Sequence, residues 1–74
     1  MNLPPDPEAM NDARSEWAEV ALVAFQERTG AEGEDAVSDL LADLIHWCDR
    51  NSMSFDEELE GARSHYAAET GVAE

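Results

Sequence analysis

Apolar residues recur at helical spacing in three successive segments of this 74-residue chain. The strongest pattern lies between Asp35 and Arg50, where one side of the predicted helix is broad and apolar. The residues of this stripe, which we predict to form the core, are Val37, Leu40, Leu41, Leu44, Ile45 and Cys48. The sequence therefore predicts that the fold is organised around this central helix.

Typical helix-terminating residues divide the chain into three predicted helices. These helices span residues 7–28, 34–51 and 55–70. The residues that mark their ends are Asp6, as N-cap before Pro7, and Gly30 for the first helix, and Ser54, in a capping box with Glu57, and Gly71 for the third. The linkers are short, which favours antiparallel neighbours. We predict an all-α, three-helix domain over residues 6–71, with a flexible arm at 1–5 and a frayed end at 72–74.

The two outer helices also carry apolar stripes that we expect to face the central helix. On the first, the stripe consists of Met10, Ala13, Trp17, Ala21 and Ala24, widened by Leu22 and Phe25. On the third, it consists of Phe55, Leu59, Ala62 and Tyr66. Because a chain of this length can bury only a modest core, self-association as a homodimer is a further expectation.

Acidic residues dominate the charge of the chain. Eighteen aspartates and glutamates face four arginines, and the formal net charge is -14. Such a surface repels nucleic acid and anionic membranes, so we expect a basic protein partner. The chain contains neither a signal-peptide pattern nor an apolar run long enough for a membrane span, and we expect it in the cytoplasm of a bacterial host.

Two columns of carboxylates are the main candidate for a partner-binding surface. Each column has i, i+4, i+8 spacing, and its members are Glu8, Asp12 and Glu16 on the first helix and Asp35, Asp39 and Asp43 on the second. Successive carboxylates lie about 6 Å apart along the axis, on the order of the spacing of phosphates in a nucleic-acid strand. Each like-charged pair costs about 0.2 to 0.5 kcal/mol. The columns therefore indicate either a contact surface for a basic partner or a solubilising surface.

No residue pattern indicates catalysis, and we expect neither a cofactor nor a bound metal. Carboxylates spaced like Asp39 and Asp43 also occur in all-α, magnesium-dependent nucleotide pyrophosphohydrolases, but no other helix supplies a matching set. Cys48 and His46 lie on different sides of the helix and cannot act together. We therefore expect a protein that is not an enzyme, with a magnesium-dependent nucleotide hydrolase kept as a third alternative.

Trp47 and Gly61 are each open to two interpretations. Trp47 either packs in a core or dimer contact or serves as a partly exposed interface anchor. Trp47 and Tyr66 together are possible apolar anchors. Gly61, inside the third helix, indicates either a close backbone approach or a tolerated surface glycine.

The run LLADLIHWCDRNSMSFDEELEGARSHYAAE carries a recognisable pattern, LxDLxHWxD followed by FDxxLxxARxHY. Over residues 37–69 it resembles short, acidic, helical proteins of bacterial phages and other mobile elements. Small acidic proteins of that origin are often inhibitors of host defence, such as anti-CRISPR or anti-restriction proteins. By analogy of class, the resemblance implies an inhibitor.

Two function classes follow from these observations. The first is an acidic inhibitor that imitates nucleic acid and binds the basic, nucleic-acid-binding surface of a host defence complex through the two carboxylate columns. The second is a structural or regulatory helical dimer that acts through an apolar seam around Trp47 and Tyr66. Charge reversal within the columns should abolish the first activity and leave the second unchanged.

Overall fold

The structure is a computed structural model that describes residues 10–71, and these form three α-helices joined by short loops. The helices are α1 (Met10–Thr29), α2 (Gly33–Arg50) and α3 (Phe55–Thr70). Consecutive helices are in contact, and no strand occurs in residues 10–71. The predicted all-α, three-helix fold with short loops is therefore confirmed. The predicted helix start at Asp6 and Pro7, the arm at 1–5 and the end at 72–74 lie outside the described residues.

The two glycines predicted to end helices both adopt the left-handed conformation. Gly30 has φ +77° and Gly71 has φ +78°. Their backbone N–H groups donate to the carbonyl oxygens of Gln26 and Ala67, each at 2.7 Å. Because glycine has no Cβ, it adopts this conformation without steric strain. Both predicted helix ends are thus confirmed to within one residue.

The turn between α2 and α3 combines a helix end and a helix start. The N–H of Met53 donates to the carbonyl oxygen of Cys48 at 3.0 Å, with Ser52 at φ 57° between them. This 6→1 hydrogen bond is one of the two that define a Schellman motif, and serine occupies the position that glycine usually takes. At the start of α3, Ser54 Oγ accepts a hydrogen bond from the N–H of Glu57 at 3.3 Å, as the sequence predicts.

The buried core of the described residues is very small and lies entirely on α2. Ala36 is 0% exposed and Cys48 is 5% exposed, and no large side chain in residues 10–71 is fully buried. Leu22 and Phe25 of α1, Leu40 of α2 and Phe55 of α3 are half-buried. The Cα radius of gyration is 14.6 Å, whereas a compact domain of this length has a value of about 11 Å. The chain therefore has little interior for its length.

The prediction that the apolar stripes form the core is largely wrong. The stripe residues that stay exposed are Val37, Leu41, Leu44 and Ile45 on α2, Trp17, Ala21 and Ala24 on α1, and Leu59, Ala62 and Tyr66 on α3. The physical reason is that a helix stripe can be buried only where another helix crosses it. Three helices in contact mainly with their sequence neighbours cover too little of each stripe.

A polar joint links the beginning of α1 to the end of α3. Asn11 Nδ2 donates to the backbone carbonyl oxygen of Glu69 at 3.0 Å. Arg14 Nε lies 3.3 Å from Glu69 Oε2, and Arg14 Nη1 donates to Asn11 Oδ1 at 2.8 Å. Since both charged side chains are about one-third exposed, this ion pair is less screened than a fully exposed one. The joint brings the two ends of the described chain together.

Replacing Gly61 with alanine should stabilise the protein. A Cβ added at Gly61 would meet nothing within 4 Å, so the surface interpretation of this glycine is the one that the structure supports. We expect Gly61→Ala to raise the free energy of unfolding by about 1 kcal/mol, because alanine loses less backbone entropy in a helix. Urea unfolding followed by circular dichroism measures this change. Gly30→Ala is the control and should destabilise, since φ at Gly30 is +77°.

Candidate functional site

The predicted carboxylate column of α2 is exposed along its whole length. We call Asp35, Asp39 and Asp43 the α2 acidic column. All three side chains are exposed, and they lie one helical turn apart along one side of α2. Within residues 10–71 none of them forms an ion pair. The column therefore presents uncompensated negative charge to the surroundings.

Two residues of this column border a surface cavity at the junction of α1 and α2. The cavity has a volume of about 240 Å³. Its lining residues are Phe25, Thr29, Gly30, Ala31, Asp39, Ala42 and Asp43. The local geometry is held by Thr29 Oγ1, which donates to the carbonyl oxygen of Phe25 at 2.8 Å and accepts from the N–H of Ala31 at 3.2 Å. We call this cavity the acidic corner.

The acidic corner combines three features that favour a cation. Asp39 and Asp43 contribute two carboxylates, and α1 ends at Thr29 with the negative end of its helix dipole at the same cavity. Phe25 adds an aromatic ring to the lining, which a guanidinium or ammonium group can approach. The cavity is open and smaller than most small-molecule sites. Its size and charge suit one lysine or arginine side chain of a protein.

The carboxylate column of α1 lies apart from the acidic corner. Asp12 and Glu16 are exposed, and Glu16 lines a different cavity together with Ser15, Glu19 and Val20. These two cavities have no lining residue in common. Glu8, the first member of the predicted column, lies outside the described residues. Among the predicted binding residues within residues 10–71, Asp39 and Asp43 thus share one cavity, whereas Glu16 lines another.

The two possible apolar anchors are both exposed. Trp47 is 54% exposed and Tyr66 is 57% exposed. Tyr66 lines a cavity between α1 and α3 whose other lining residues are Asn11, Arg14, Ser15, Glu69 and Thr70. Trp47 is not among them, so the structure does not place the two aromatic residues at one cavity. In a single chain, Trp47 is a partly exposed side chain rather than a core residue.

The sequence did not indicate Phe25, Thr29 and Ala31 as site residues. They join the acidic corner because the short linker after Gly30 brings the end of α1 against the middle of α2. The available signals were the shortness of that linker and the place of Phe25 on the α1 stripe that we expected to face the central helix. In the part of the chain that the structure describes, no group of three or more histidine, cysteine, aspartate or glutamate residues is placed to hold a metal ion. Cys48 is buried, as the sequence predicts.

Comparisons with protein-family models, with curated proteins and with solved structures each find no match for this chain. None of the three helices between residues 10 and 71 has the length and apolar character that crossing a membrane requires.

Proposed function

We propose that this protein is an acidic inhibitor that binds the basic, nucleic-acid-binding surface of a host defence complex and prevents nucleic acid from occupying it. The α2 acidic column and the acidic corner form the centre of the contact. The carboxylates of Asp12 and Glu16 extend the negative surface along α1. The protein acts by occupying a site and performs no chemical step.

The observation that carries this proposal is the exposure of Asp39 and Asp43 at a cavity that the negative end of α1 also borders. Their neighbouring negative charges are costly for a small domain, and in residues 10–71 no cation compensates for them. A contact with arginine or lysine side chains would turn this repulsion into attraction. A surface that serves solubility alone gains nothing from concentrating charge at a cavity.

The charge of the whole chain supports the same partner chemistry. With a net charge of -14, long-range attraction speeds the encounter with a basic surface and orients the protein before contact. A nucleic-acid-binding surface is basic because it must neutralise phosphates. The resemblance of residues 37–69 to acidic helical proteins of phages and mobile elements directs the search to host defence complexes.

A double charge reversal at the acidic corner tests the proposal. We expect Asp39→Lys with Asp43→Lys to remain folded and to weaken partner binding by at least about tenfold, mainly through slower association. The matched control is Glu27→Lys with Asp49→Lys, because both residues are exposed and lie outside the columns. Both double variants change the net charge equally. If only net charge matters, they will weaken binding equally, which would contradict a defined contact at the corner.

The partner is obtained by capture from a bacterial lysate at about 50 mM and about 500 mM NaCl, where exposed charges are weakly and strongly screened. The captured protein is then purified, and its binding to labelled DNA or RNA is measured with and without the acidic protein. Inhibition by the wild type and the control, but not by the corner variant, supports the proposal. A captured partner that binds nucleic acid equally well in the presence of the wild type would refute nucleic-acid mimicry.

A further inference from the structure

Three apolar side chains form an exposed row along α2. We call Val37, Leu41 and Ile45 the α2 seam. Their exposed fractions are 54%, 42% and 43%. Five of the eleven large apolar side chains that stay exposed in residues 10–71 lie on α2, the helix at the centre of the chain. The helix with the best apolar face therefore also keeps the largest number of exposed large apolar side chains in residues 10–71.

The total accessible surface is larger than a compact monomer of this mass should have. It amounts to 6107 Å² for a chain of 8.1 kDa, whereas the size scaling of folded monomers predicts about 4,500 Å². A standard protein interface removes about 800 Å² from each partner. The difference is thus large enough for one interface of ordinary size.

The charges of α2 are arranged so that the seam can meet another surface. Each seam residue follows a member of the α2 acidic column by two positions, which places the two rows about 160° apart around the helix. The residues that flank the middle of the seam, Ser38, Ala42, Leu40 and Leu44, are uncharged. A charge-free centre is typical of the core of a protein interface. Contact along the seam also directs the α2 acidic column away from it.

We infer that the α2 seam is the interface of a homodimer, in which a second copy of this chain packs its own α2 against it. Leu41 lies midway between Val37 and Ile45, so a two-fold axis beside Leu41 pairs the helices in antiparallel orientation. Val37 of each copy then faces Ile45 of the other, and Leu41 faces its own counterpart. This arrangement is self-complementary, as an interface with two-fold symmetry requires.

A second copy fits the seam better than a partner of other chemistry. Ala36 and Cys48 alone are too small a core for a stable domain. The folded chain therefore needs further apolar burial at all times, and a permanent partner would provide it. A copy of the same chain is present wherever the protein is made. The seam offers no charge that would select a basic partner, and the charges that would select one lie on the opposite side of α2. The inference is independent of the proposed function.

The first test is the molar mass of the purified wild-type protein in sedimentation equilibrium or light scattering. We expect twice the 8.1 kDa of one chain. We also expect the dimer to tighten as NaCl rises from about 50 mM to about 500 mM, because salt screens the repulsion between two chains of charge -14. This trend is opposite to that of binding to a basic partner. A wild-type protein that stays monomeric at high salt and at about 100 μM overturns the inference.

The second test locates the interface. We expect Leu41→Glu to weaken the dimer by about 100-fold or more, since the two-fold axis brings two carboxylates face to face in an apolar contact. Val20→Glu is the matched control, because Val20 is the most exposed of the large apolar side chains on α1 and lies on another surface. Circular dichroism checks that both variants are helical. If Leu41→Glu does not fold, Leu41→Ala is compared with Val20→Ala. A folded Leu41 variant that dimerises as tightly as its control overturns the assignment of the seam.

Discussion

Replacing Ala36 with aspartate should unfold the protein. Ala36 is 0% exposed and lies on α2, which contacts both other helices. A carboxylate at this position would be removed from water. Such a group costs several kcal/mol unless it becomes protonated. Since small domains are only marginally stable, we expect a loss of at least about 3 kcal/mol and of most of the helical signal at 37 °C.

The measurement is thermal and urea unfolding followed by far-ultraviolet circular dichroism. Ala24→Asp is the matched control, because it is the same substitution at an exposed position in the middle of α1. That control should lose about 0.5 kcal/mol through helix propensity alone. Should the two variants unfold at similar urea concentrations, Ala36 would not be the centre of the core.

Raising the salt concentration should stabilise the wild-type protein strongly. The chain has 18 acidic and four basic residues. Within residues 10–71, Arg14 and Glu69 form an ion pair, but most of the acidic residues have no such partner. Several unfavourable like-charged pairs, each about 0.2 to 0.5 kcal/mol, therefore act against folding at low salt. Screening them should add about 1 to 2 kcal/mol, which for a domain of this size raises Tm by about 5 to 15 °C.

Thermal melts between about 20 mM and about 500 mM NaCl measure this effect, over a range in which the Debye length falls several-fold. The corner variant, Asp39→Lys with Asp43→Lys, should show a smaller increase than the control pair Glu27→Lys with Asp49→Lys. The reason is that Asp39 has acidic neighbours at both i−4 and i+4, whereas Glu27 and Asp49 have none at i±3 or i±4. A Tm that is constant or falls with NaCl would show that like-charge repulsion does not limit stability.

The structure brings only part of the predicted carboxylate surface together at one cavity. The difference between prediction and structure concerns which residues of separate helices lie close to each other. The i, i+4 spacing correctly indicated that Asp35, Asp39 and Asp43 share one side of a helix and that they are exposed. The column on α1 was predicted by the same reasoning, but it does not line the cavity that Asp39 and Asp43 border. Which residues of different helices meet depends on how the helices cross, and helical periodicity does not contain that information.

The sequence by itself determined the local structure of this protein. Gly30, Ser54 and Gly71 were recognisable as helix-terminating residues because capping depends on a few neighbouring backbone groups. The bounds of α3 were predicted correctly, and those of α2 to within one residue.

Which apolar side chains are buried was decided by the tertiary structure alone. An apolar stripe states which side of a helix can be buried, and burial itself requires another element on that side. Three short helices leave the α2 seam and Trp17 exposed and bury only Ala36 and Cys48. They also bring Phe25 and Thr29 to one cavity with Asp39, and the sequence did not indicate that cavity. The acidic corner is therefore a property of helix packing, whereas the row of negative charges that it contains was predictable from the spacing of the aspartates.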